Sequence, residues 1–128
     1  MSNESRDNVY GRTMSEWISL IPGDLPNDAV SLWHISADGT SYFDLAGAEL
    51  ADFLRRSILA LLEAGAIPVK TGKGTPYDWI AEQRFGVDKM TIVTAILREW
   101  KSSKKDEEYL FSVWFALPDE HVLRCGAH

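Results

Sequence analysis

The loop Thr71-Gly72-Lys73-Gly74-Thr75 sets glycines and a lysine side by side, the residue types that cradle phosphate. A Walker A loop needs a glycine five positions before its Gly-Lys pair and a Ser or Thr directly after the lysine. Ile67 stands at the first of these positions and Gly74 at the second, so a nucleotide loop fails twice. A weaker chemistry survives, an anion held by free amides at the start of a helix capped by Thr75, with Lys70 and Lys73 beside it. An exposed connector is the simpler reading of the same residues. His121, Cys125 and His128 have metal-ligand types at spacings of four and three. They fall in a C-terminal tail, and tails rarely hold ligands rigidly enough for a selective site. His34 lies in an apolar run, where packing outranks general-base duty, and a Ser36 or Asp38 partner would have to reach it from a turn. No two carboxylates have a sequence reason to share a cleft, so an acid/base pair cannot be built. No catalytic group, metal or cofactor is expected.

The remaining signals concern binding. Trp17, Trp33, Trp79, Trp100 and Trp114 fall one to each expected element other than the longest helix. Most belong in the core, because a small domain relies on large side chains for burial. An exposed one near charge would mark a protein-binding hot spot, and Trp79 is the first candidate. On its expected helix it lies off the Tyr77–Ile80–Ala81 stripe and close to Lys73. Charge is also uneven: residues 1–69 carry four basic and ten acidic side chains, 70–105 eight and four, and 106–128 one and five. The basic middle of an otherwise acidic chain of net charge −6 is where an anionic partner would be steered.

Elements must position these residues. Thr13 or Ser15 caps a short helix carrying Trp17, Ile18, Leu20 and Ile21, stopped by Pro22-Gly23. Ala29 to Ile35 has strand composition, and Asp38-Gly39 before Ser41-Tyr42-Phe43 signals a hairpin. Leu45 to Ala64 is the clearest helix, with Asp44 as N-cap, Gly65 as stop, and Leu50, Phe53, Leu54, Ile58, Leu61 and Leu62 on its core face. Asp52 and Arg56 on the opposite side are spaced for an ion pair. Ile67 to Val69 is a short extended piece.

Thr75-Pro76 starts a helix running to Phe85, and Asp88 caps another over Lys89–Lys101, with Met90, Val93, Leu97 and Trp100 on one stripe and Ile92 and Ile96 beside it. Tyr109 to Leu117 reads as a strand buried on both faces and paired with the hairpin. The expected fold is α+β, a small antiparallel sheet of about three strands packed against about four helices in a single layer on one face. Residues 1–13 read as a flexible leader, 14–118 as one globular domain and 119–128 as a tail.

Residues 76–101, helix, glycine-containing turn, helix, resemble a helix-turn-helix in outline. The small residue Ala81 precedes Gly86 by five positions where the outline has four. The resemblance implies that Lys89, Thr91, Thr94, Arg98 and Lys101 face groove and phosphates. The acidic flanks oppose it by repelling phosphate.

One cysteine excludes an internal disulfide, and no apolar run approaches a membrane span. With no apolar leader either, a cytoplasmic address without membrane contact is the default. The leading functional reading is a non-enzymatic protein-binding module, of the adaptor, inhibitor or immunity type, with a protein partner. A nucleic-acid-binding regulator using 76–101 and a small enzyme with an unrecognised site are the alternatives. The binding residues expected are Lys70, Lys73, Thr75, Trp79, Lys89 and Arg98.

Overall fold

A computed structural model describes residues 11–25, 29–71, 79–102, 109–110, 112–117 and 122–123. Its elements run α1 (Met14–Leu20), a 3-10 turn (Ile21–Asp24), β1 (Val30–Ser31), α2 (Leu32–Phe43), α3 (Gly47–Glu63), β2 (Ile67–Thr71), β3 (Trp79–Ala81), α4 (Lys89–Ser102), β4 (Trp114–Ala116) and β5 (Val122–Leu123). The architecture is α+β: among the described residues, helices α1–α4 and an antiparallel sheet centre of β4, β2 and β3, flanked by the two-residue edge strands β1 and β5. The order is β1-β4-β2-β3-β5, antiparallel at every junction except the parallel pair β3–β5.

α1 begins as the sequence dictates. Thr13 Oγ1 accepts from the Glu16 amide at 3.2 Å and Glu16 Oε1 accepts from the Thr13 amide at 2.8 Å, a capping box. α3 also forms where its periodicity places it, with Leu50, Phe53, Leu54, Ile58, Leu61 and Leu62 all buried. Full burial of each such side chain contributes about 1.5–3 kcal/mol, so this face anchors the core. Gly65 follows at φ 101°, the left-handed conformation that ends the helix at little steric cost. Two details differ from expectation. Asp52 pairs with Arg55 rather than Arg56, whose guanidinium instead crosses to α1 and donates to Ser15 Oγ at 2.9 Å. Asp44 is not the N-cap of α3, a position taken by Ala46; it is the left-handed C-cap of α2, at φ 55°.

The expected hairpin over Ala29–Phe43 does not form. Only Val30–Ser31 is strand, and Leu32–Phe43 is helix. Ser31 Oγ accepts from the His34 amide at 3.1 Å and so starts α2. The buried residues Leu32, Ile35, Ser36, Gly39 and Phe43 then recur at helical spacing, and that periodicity outweighs the β-branched and aromatic content. Gly39 is a contact point rather than a turn. A Cβ there would stand 2.9 Å from Leu50 Cδ1 and 3.0 Å from Phe53 Cδ2, so its absence lets α2 lie close against α3.

Two further expectations are corrected. The helix placed over 76–85 is contradicted at Trp79–Ala81, which pairs antiparallel with Val69–Thr71. Its start at Thr75-Pro76 lies outside the described residues. The strand placed over Tyr109–Leu117 is confined to Trp114–Ala116, the backbone being helical at Tyr109, Leu110 and Ser112. β4 lies between β1 and β2, with Phe115 facing Val30 and Pro68 in register. Phe115 and Val30 join the core shared by the helices, while Ala29, Val69 and Ala116 form a separate small cluster with Ile67 and Trp114.

Candidate functional site

Surface chemistry concentrates on α4. Asp88 Oδ2 accepts from the Thr91 amide at 3.1 Å, which fixes the helix start and therefore its phase. Ile92, Val93 and Ile96 point inward, with Ala95, Leu97 and Trp100 partly buried around them. That phase leaves Met90, Thr94, Arg98 and Lys101 on the outward side, with Lys89 exposed in the first turn. Met90 therefore does not belong to the core stripe in which the sequence placed it; it is 51% exposed, and Val87 just ahead of the helix is 94% exposed. Among the described residues, no ion pair engages Lys89, Arg98 or Lys101. A cationic helix side headed by two bare aliphatic residues results.

The flank of α4 is locked. Glu99 accepts from Arg84 through Oε2 and from Tyr109 Oη through Oε1 at 2.9 Å, while Arg84 also lies 4.3 Å from the centre of the Phe85 ring. Burial is the largest single influence on Glu99 and opposes its ionisation. The bonds from Arg84 and Tyr109, with the Arg84 charge, outweigh it and hold the carboxyl below the usual range. Burial first, then the bond to Glu99, raises the Tyr109 phenol. The bond to Glu99 likewise raises Arg84. Glu99 is thus committed to this clamp and does not offset the outward cations.

Beyond Lys101 an open cavity of about 640 Å³ lies between the start of α3 and the end of α4. Leu45, Leu50, Ala51 and the Trp100 side chain supply apolar wall, and Ala46, Gly47 and Ala48 leave room. Ala46 gives α3 no side-chain cap. The Trp100 indole nitrogen is buried without a hydrogen-bond partner among the described residues, as is the Ser57 hydroxyl within α3.

Of the residues singled out from sequence, Lys89 and Arg98 lie on α4 and Lys70 is exposed on β2; Lys73 and Thr75 lie outside the described residues, and of Trp79 only the backbone is described. The helix-turn-helix outline keeps its second helix but has strand β3 where its first should run, so Lys89, Thr91, Thr94, Arg98 and Lys101 lack that motif's support. Trp17, Trp33 and Trp100 pack half-buried on the main core, and Trp114 on the smaller cluster.

His34 does find a partner, since its Nδ1 lies 3.0 Å from Ser31 Oγ. The pair has the chemistry of a serine–histidine dyad but not the access, because Ser31 is 1% exposed and its oxygen already caps α2. It is a helix cap. The His121, Cys125 and His128 group lies outside the described residues, among which no group of three or more ligand types could hold a metal. Among those residues, too, no helix is long and apolar enough to cross a membrane.

Val87, Met90 and the cavity residues escaped the sequence reading. Taking Ile92, Val93 and Ile96 as the centre of the apolar arc would have exposed Met90, while the cavity joins residues too far apart in sequence to be seen together. Compared with protein-family models, curated proteins and solved structures, the chain matches none.

Proposed function

We propose that this chain is a non-enzymatic protein-binding module that docks an acidic segment of a partner protein on the outward side of α4. The observation that carries the reading is the exposure of Met90 on the same side of α4 as Arg98 and Lys101, with Val87 exposed just ahead of the helix. Covering aliphatic surface is favourable by about 25 cal/mol per Å², which gives a partner its anchor. Arg98 and Lys101, which form no ion pair among the described residues, extend along the helix from that anchor, complement carboxylates and steer their approach. A polyanion such as nucleic acid would use the cations but gain little from Val87 and Met90, and the net charge of −6 would repel it.

The test uses the full chain as bait in cell extract at low salt, followed by mass spectrometry and direct titration of whatever is retained. A protein partner with an acidic binding segment is expected. The double substitution Arg98→Glu/Lys101→Glu should weaken it at least tenfold, ~1.4 kcal/mol, and Met90→Asp should do likewise. A partner retained equally by both variants overturns the reading. So does capture of nucleic acid alone, confirmed by a gel shift with mixed duplex.

A further inference from the structure

We infer that the cavity between the start of α3 and the end of α4 receives an aromatic or large aliphatic side chain of that acidic partner, so that recognition has two apolar anchors with charge between them. The inference rests on the docking reading above and gives it a partner chemistry. Lys101 belongs to both features: it lies on the outward side of α4 and lines the cavity. Met90, Thr94, Leu97 and Lys101 are spaced by four, three and four residues, which sets them in one line along the helix. Eleven residues at 1.5 Å each make that line about 16 Å long, from the exposed thioether of Met90 to the cavity mouth. A segment lying along α4 from Met90 therefore arrives at the cavity without changing direction.

The walls select what enters. Leu45, Leu50, Ala51 and Trp100 offer apolar contact, and Lys101 is the one charged residue among the described lining residues. A volume of about 640 Å³ falls in the range of pockets that bury drug-sized groups, which leaves space for an aromatic ring. An indole wall rewards an aromatic occupant with offset or edge contacts. Lys101 at the mouth favours a carboxylate next to the anchor and disfavours a cation there. An apolar anchor seated beside a complementary charge is a common form of interface hot spot.

The test screens a displayed library of random twelve-residue peptides against the full chain and then titrates one synthetic consensus peptide. Enriched peptides should combine Asp or Glu with one recurrent aromatic or large aliphatic residue. Replacing that residue by Ala should weaken binding at least tenfold. Two cavity-filling variants, Ala48→Trp at an exposed position and Ala51→Leu, should do the same while the thermal midpoint stays within a few degrees of the parent. The Trp100 indole resonance should shift on saturation. If acidic peptides bind and Arg98→Glu weakens them, but neither the anchor alanine nor either filled cavity matters, the cavity assignment is wrong and docking on α4 stands. A screen that returns no acidic binder, or binders indifferent to Arg98→Glu, overturns both.

Discussion

Gly39 sits in the interior of α2, where glycine costs roughly 1 kcal/mol of helix stability relative to alanine, and it is retained where two helices touch. Its missing Cβ is the space that Leu50 and Phe53 occupy. Gly39→Val should therefore destabilise the fold by about 1–3 kcal/mol through overpacking, read as a lower urea midpoint at unchanged slope. Ala46 offers the reverse experiment. It holds extended N-cap geometry, φ −153° and ψ 161°, without an accepting side chain. Ala46→Asp should add about 0.5–1 kcal/mol and raise the melting temperature by roughly 3–5 °C. At this scale the sequence was readable wherever a residue's role is local. Thr13, Asp88 and Gly65 act on neighbours within four positions, and each does what its type suggests. Asp44 and Met90 were misplaced because their roles depend on where an adjoining helix begins.

The clamp of Arg84, Glu99 and Tyr109 joins the turn after β3, the flank of α4 and the chain beyond it. Glu99 ionises more readily here than in an unfolded chain, so its contribution is present above the ordinary carboxylate range and is lost as pH falls through its lowered value. Denaturant midpoints at pH 7 and pH 3 test this: Glu99→Gln should lower stability at pH 7 and make much less difference at pH 3. The group is partly exposed, so solvent screening keeps the effect small. Among the elements, α3 was fully legible because a long amphipathic stripe with a glycine stop has one interpretation. α2 was not, since Val30, Trp33 and Ile35 favour strand while the cap at Ser31 and the spacing of buried residues favour helix. β3 was misread for a different reason. Thr75-Pro76 carries helix-start chemistry, but the backbone of Trp79–Ala81 finds its partners on β2, a tertiary contact that no local signal announces.

For the molecule as a whole, one core joins helices α1–α4 to Val30 and Phe115. Amide exchange should follow that geometry, slowest along the middle of α3 and in β2 and β4, and fastest in the edge strands β1 and β5. Protection in the middle of α3 no higher than in the edge strands β1 and β5 would count against that core. Of the proposed docking surface, the cations were visible in the charge distribution, whereas the cavity depends on residues 40, 45–48, 50–51 and 100–101 converging in space. The position of β4 between β1 and β2 has a temporal consequence. Synthesis delivers β1, helices α1–α4 and β2 before it delivers Trp114–Ala116, the strand that bridges β1 to β2. Until then Val30 and Pro68 have no Phe115 between them, and the nascent chain holds an open seam that chaperones could shield. A version ending at Ser102 should therefore show helical circular dichroism but no cooperative melting, with closure supplied only when the last fifth of the chain arrives.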